Sequence, residues 1–180
     1  MRLGQYLIDA LAALGVRHVF GIPGVHNLEL YRGLAGGPIR HITGRHEQGL
    51  GFMADGYSRA SGKIGVLTTT SGPGVANLGA ALLAQRKYDE AIEMCEKALR
   101  LRPDVADTHA TLAAALWNRG RTDESILQNR KAVELNPDLV SARLNLGAAL
   151  LAKGNHDEAI VHLEYVLRLN PQDAVAQKLL

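Results

Sequence analysis

The period of the apolar positions changes several times along the first 70 residues. Residues 4–14 place Leu7, Ile8, Leu11 and Leu14 at helical spacing, and Gly15 follows where a helix would close. Residues 17–22 (RHVFGI) form a short apolar run that predicts a buried strand. Pro23-Gly24 predicts a turn, 26–34 a short helix and 39–43 a second strand. Residues 47–60 predict a helix with small residues on one side, closed by Gly62. Residues 64–70 (IGVLTTT) predict a third strand, followed by the tight turn Ser71-Gly72-Pro73-Gly74. Strands separated by helices imply right-handed crossovers and a parallel sheet, an α/β arrangement. Ligands bind such sheets beyond the carboxyl ends of the strands. The turns GIPG, GRHEQ and TSGPG all fall at those ends and are expected to cluster.

Beyond residue 74 one pattern recurs. NLGAALLAQRKYDEAI begins at Asn77, TLAAALWNRGRTDESI at Thr111 and NLGAALLAKGNHDEAI at Asn145, an offset of 34 each time. Pro103, Pro137 and Pro171 keep the same offset and end each unit, because the residue before proline disfavours helix. Gly79, Ala113 and Gly147 face Ala91, Ser125 and Ala159 as the small residues that let two helices touch. Leu78, Leu112 and Leu146, with Leu82, Leu116 and Leu150, are the expected buried knobs. Asp-Glu pairs at 89–90, 123–124 and 157–158 open the second helices, where acids complement the helix dipole. This pattern resembles the tetratricopeptide repeat, over about 72–105, 106–139 and 140–173, with 173–180 starting a capping helix. Such repeats stack into an all-α solenoid whose first helices line a concave face. Here that face would carry Asp107, Ala110, Ala114, Trp117, Ser141, Leu144, Ala148 and Leu151. Trp117 is the expected anchor for a protein or peptide partner, or else packs against the neighbouring repeat. Some members of that family clamp a terminal carboxylate with Lys, Arg and Asn; these inner positions are mostly Ala and Leu and show no such clamp.

Composition divides the chain at the same place. Of 19 glycines, fifteen lie in residues 1–74 and four in 75–180. Lys and Arg number seven against four acids in the first part, and 13 against 14 in the second. Two architectures are therefore expected, 1–74 and 75–180. The net charge of +2 predicts no nucleic-acid partner. No apolar run reaches the length of a membrane span, Cys95 is the single cysteine, and the start lacks a signal-peptide pattern, so a cytoplasmic protein is expected. His41 and His46 are read as loop or surface histidines with no metal site.

In the first part, VFGIPG (19–24), RHEQG (45–49), MADGYSRASGK (53–63) and TSGPGVANL (70–78) occur in order. Together they resemble the pyrimidine-binding domain of thiamine-diphosphate enzymes of the acetolactate synthase and 2-oxo-acid decarboxylase type. The resemblance implies that Glu47 hydrogen-bonds the aminopyrimidine of thiamine diphosphate and promotes its imino tautomer. Without the resemblance, Glu47 reads as a helix N-terminal acid. Pro23, Gly24, Gly72, Pro73 and Asn77 fall where that family's turns meet the pyrimidine.

The departures are as informative. The chain has no GDG motif and no room for the domain that holds the diphosphate through Mg²⁺, so only a half-site is implied. The resemblance stops near Leu78, leaving a truncated parallel sheet with flanking helices. Residues 74–85 satisfy both patterns, so the two parts are expected to share a helix. A truncated sheet leaves an exposed strand edge and an uncovered apolar face, which predicts stabilisation by the repeats or self-association. Three functions remain open at this level. One is an interaction scaffold carrying a non-catalytic α/β part. Another is a component of a thiamine-diphosphate enzyme that needs a second chain for the diphosphate and Mg²⁺. The third is an engineered chimera without a biological ligand. A natural fusion and a faulty gene prediction fit the sequence as well.

Overall fold

The structure is a computed structural model that describes residues 3–69 and 73–180. It divides into two compact units, 1–81 and 82–180.

In the first unit α1 (Leu3–Ala13) leads to β1 (His18–Gly21), a 3₁₀ turn (Val25–Asn27) and α2 (Leu28–Leu34). β2 (Arg40–Thr43), α3 (Glu47–Ser61), β3 (Val66–Thr68) and α4 (Pro73–Ala84) follow. The strands lie parallel in the order β2-β1-β3, with Gly21 opposite both Thr43 and Thr68. Alternation along the strands splits the core in two. Val19 and Val66 pack with Ile8, Val16, Leu34 and Ile39 under α1 and α2. Phe20 and Leu67 turn the other way and pack with Leu50 and Ala54 of α3. The sheet is thus covered on both faces. α1 and α2 cross at two glycines: a Cβ on Gly33 would lie 2.4 Å from the Gly4 carbonyl oxygen. Gly62 closes α3 at φ 66°.

Strand β3 is shorter than the apolar run predicts. Ile64 is exposed, and Gly65 is held against the Ala54 carbonyl, where a Cβ would come within 2.3 Å. Pairing starts only at Val66. The predicted turn at 71–74 lies largely outside the described residues, and α4 already begins at Pro73. His41 is a strand residue rather than a loop one.

The second unit continues α4 from Leu82 and adds α5 (Tyr88–Leu101), α6 (Ala106–Asn118), α7 (Thr122–Leu135), α8 (Val140–Ala152), α9 (His156–Leu169) and α10 (Ala174–Leu179). From α5 onward each helix contacts the next, and α6 also contacts α8, as α8 does α10. Of the expected close approaches, Ala113 meets Ser125 as predicted, whereas Gly147 makes room for Leu163 rather than Ala159. Ser125 Oγ donates to the Ala113 carbonyl at 2.8 Å, and a Cβ on Gly147 would lie 2.8 Å from Leu163 Cδ2. Leu112, Leu116, Leu146 and Leu150 are buried.

Three details of the joints recur every 34 residues. First, α4, α6 and α8 end in the same left-handed turn, at Arg86 (φ 59°), Gly120 (φ 75°) and Gly154 (φ 79°). The amides of Lys87, Arg121 and Asn155 then bond back to the Leu82, Leu116 and Leu150 carbonyls at 2.9 Å, closing a Schellman-type cap. Second, the residues before the prolines, Arg102, Asn136 and Asn170, are all extended. Third, each proline carbonyl meets a side chain six residues on. His109 Nε2 lies 2.9 Å from the Pro103 oxygen, Arg143 Nε donates to Pro137, and Gln177 Nε2 donates to Pro171 at 2.8 Å. Buried Arg143 also stacks over the Tyr165 ring at 3.5 Å and lies 3.3 Å from His162 Nδ1. Burial, and then the Arg143 guanidinium, hold the His162 pKa below its ordinary value; Glu158 opposes this and Arg130 adds to it.

Two predictions follow from these joints. Arg86 is the one non-glycine at positive φ among the described residues, so Arg86→Gly is expected to stabilise the chain by about 0.5–1 kcal/mol in urea unfolding. Because the folded His162 pKa is depressed, its contribution is present above about pH 6.5 and is lost as pH falls below that value. His162→Gln, which copies Gln128 one repeat earlier, is expected to flatten the fall in melting temperature between pH 8 and about pH 5.5.

Candidate functional site

The parallel register brings the carboxyl ends of all three strands together, so the segments after Gly21, Thr43 and Thr68 leave the sheet side by side. Pro23 and Gly24 stand in the first segment; Pro23 is exposed and Gly24 half-buried. Asn27 holds this turn. Its Oδ1 accepts the Gly24 amide at 2.7 Å, while its Nδ2 donates to the Ile22 carbonyl at 3.1 Å and to Thr68 Oγ1 at 3.3 Å. The sequence signal for Asn27 is its place three residues after a turn glycine, the spacing of a capping box.

Glu47 opens α3, directly after the N-cap His46, whose Nδ1 accepts the Gln48 amide. Asn77 of α4 donates from Nδ2 to Glu47 Oε2 at 3.0 Å. The fold thus joins two predicted residues thirty positions apart. Gly72 lies outside the described residues, and Pro73 is the first residue of α4. Glu47 is half-buried, and its Oε1 has no protein partner among the described residues. A carboxylate with one oxygen fixed by an amide and the other open suits a protonated ring nitrogen or the amine of an aminopyrimidine. The residues therefore fit the pyrimidine end of thiamine diphosphate, the cofactor that supplies carbanion stabilisation when bound.

Beside this lies a second polar group. His41 Nε2 is 3.2 Å from the Gly21 carbonyl, and Thr43 Oγ1 is 3.2 Å from His41 Nδ1. Tyr31 meets the His41 ring edge-on at 4.7 Å. Its hydroxyl is buried without a partner, and burial pushes its pKa up to about 12.

The repeats present a different surface. Past its first residue, α6 leaves open Asp107, Thr111, Ala114, Trp117 and Asn118, and buries the rest. α8 leaves open Ser141, Leu144, Asn145, Ala148, Leu151 and Ala152. These are adjoining stripes of neighbouring helices, matched at an offset of 34. Three expected face residues are repositioned. Ala110 is only 6% exposed and packs with Ala132 and Ala142, so it joins helices instead of lining an open face. Leu144 and Leu151 remain partly open but lean on the Leu163, Val166 and Ala176 cluster. Trp117 is 40% exposed, and it is in the open stripe rather than in the core. His109 and Arg143 carry no expected role, and both are buried at the joints. Their signal is polarity recurring at an offset of 34 from Gln177.

Comparison with known proteins agrees with both halves. Residues 1–92 match the thiamine pyrophosphate enzyme, N-terminal TPP binding domain, and residues 73–138 and 111–174 match tetratricopeptide repeats. The probable 2-ketoarginine decarboxylase AruI of Pseudomonas aeruginosa is 63% identical over 79 residues, 44% of this chain. The acetolactate synthase isozyme 2 large subunit of Escherichia coli K12 is 47% identical over 78 residues, 43% of this chain. The chain spans only 14% of the length of either relative. Among solved structures, the first TPR of Spaghetti (RPAP3) bound to HSP90 peptide SRMEEVD has a TM-score of 0.55 at 28% identity, covering 58% of this chain and 82% of that one. MamA has a TM-score of 0.58 at 20% identity, covering 74% of each chain, and shows the fold alone. With just over half its length matched by the first model, the chain belongs to the thiamine pyrophosphate enzyme family through its N-terminal TPP binding domain, and continues into tetratricopeptide repeats.

Proposed function

We propose that this chain is a protein- or peptide-binding scaffold, and that its α/β unit keeps half of a cofactor site without catalysing on its own. The observation that carries the reading is the pair of open stripes on α6 and α8, with the exposed Trp117 on one of them. A tetratricopeptide neighbour of similar fold holds a peptide, which supports the same use here. Glu47 and Asn77 would orient the pyrimidine end of thiamine diphosphate, with Pro23 and Gly24 beside it. Gly72 and Pro73 complete that set by resemblance. The diphosphate and Mg²⁺ end would have to come from a second chain, and that end normally contributes much of the grip.

Calorimetry on the whole chain with thiamine diphosphate and Mg²⁺ is expected to show no tight binding. Tight binding that Glu47→Gln abolishes would replace the scaffold reading with that of a component of a thiamine-diphosphate lyase or transferase acting on 2-oxo acids.

Self-association is part of the proposal. Leu3, Leu7 and Leu14, with Tyr6, form an exposed apolar stripe on and just beyond α1, whose other side is buried through Ile8. A contiguous exposed apolar patch of this kind marks an association surface. Light scattering is expected to give a mass above that of one chain, and a strictly monomeric reading at high concentration would count against it.

A further inference from the structure

The open stripes of α6 and α8 carry a definite chemistry. On α6 the neutral polar groups bond to their own helix: Thr111 Oγ1 donates to the Asp107 carbonyl and Asn118 Nδ2 to the Ala114 carbonyl, both at 2.8 Å. Thr111 then offers its oxygen as an acceptor, and Asn118 keeps its amide oxygen and one N–H; neither brings a charge. The cations nearest the ends of the same helices are committed. Arg119 Nε pairs with Asp89 at 2.9 Å and Lys153 Nζ with Asp123 at 2.8 Å, the same bridge one repeat apart. Arg143 is buried at its joint. The ionised group on the two stripes is therefore Asp107, which is exposed in the first turn of α6. Toward the other end the indole of Trp117 stands 40% exposed, one turn after the partly open Ala114, and Ala148 and Leu151 are the matching open positions of α8.

We propose that these stripes take a basic, apolar segment of a partner protein and reject an acidic carboxyl-terminal tail; the proposal rests on the scaffold reading above. An acidic tail would bring carboxylates against Asp107 with no uncommitted cation on the stripes to receive them, and like charges at an interface are strongly disfavoured. A segment with two cations meets two receptive points: the Asp107 carboxylate and the face of the Trp117 indole, which attracts Lys or Arg through its ring quadrupole. Ten residues of helix separate them, about 15 Å. An extended segment covers that distance in four or five residues. Its intervening apolar side chains would lie on Ala114 and Ala148, and Ser141 and Asn145 remain to meet its backbone carbonyls.

Trp117 is the only tryptophan of the chain, so its emission reports on this surface directly. The whole chain is titrated with two peptides. One has two lysines flanking four leucine or alanine residues, with both termini blocked. The other is the acidic heptapeptide SRMEEVD. The basic peptide is expected to shift the Trp117 emission, and its affinity to fall about two- to fivefold in Asp107→Asn and with rising salt. Circular dichroism checks that the variant stays helical. Tighter binding of the acidic peptide overturns the proposal and leaves the scaffold reading standing. Indifference of the basic peptide to Asp107→Asn also overturns it. No response to either peptide overturns both.

Discussion

The carbonyl oxygens of Pro103, Pro137 and Pro171 fix the geometry of the repeat unit. Each proline ends a unit by forcing extended backbone before it, and each then needs a hydrogen-bond donor where the next helix begins. A side chain six residues on meets that need, though its chemistry changes from imidazole to guanidinium to amide. The link ties the start of each first helix to the turn that precedes it. It therefore sets how α6 lies beside α8, and with that the spacing of Asp107 and Trp117 from Ser141 and Leu151. For His109 the imidazole bridges the proline to Gln128, at 2.7 Å from its side-chain oxygen position. The Gln128 amide turns to donate when Nε2 holds the proton.

The fold was legible to the extent that it is periodic. The 34-residue offset located every helix of the second unit, because glycine, proline and the Asp-Glu pairs act locally and announce themselves. The parallel sheet was legible from alternation of strand and helix. What the sequence did not show is which neighbour covers an apolar position. Ala110 and Ala114 look alike as letters, yet the first is sealed by Ala132 and Ala142 while the second stays partly open. Arg143 reads as a surface charge, and it is buried because a carbonyl, an imidazole and an aromatic face surround it. In the first unit Glu47 was named from a motif, but its contact with Asn77 exists only once α3 and α4 are folded. Asn27 leaves only the faint signal of its spacing from Gly24, because its role is to hold a turn.

The repeats are not copies. Cys95, Asn129 and Leu163 hold one position, all fully buried. Leu163 fits because Gly147 opposite it has no Cβ, whereas Asn129 sits in the repeat whose small residue is Ala113. The cost is visible, since both amide atoms of Asn129 are buried without a partner among the described residues. Cys95 is inert for a related reason: burial, and then Glu96, push its thiol pKa up to about 12, far from the thiolate form that reacts.

Arg86 has a consequence that reaches past its own turn. Repeats that touch only the next repeat in the row behave as a one-dimensional lattice, in which each unit has its own stability and a coupling to the next. A residue that dislikes its backbone conformation lowers one term of that sum and leaves the others alone. The turn at Arg86 therefore makes the earliest repeat the weakest link of the row, the place where the solenoid frays first while the glycine-closed repeats around Trp117 and Leu151 stay wound.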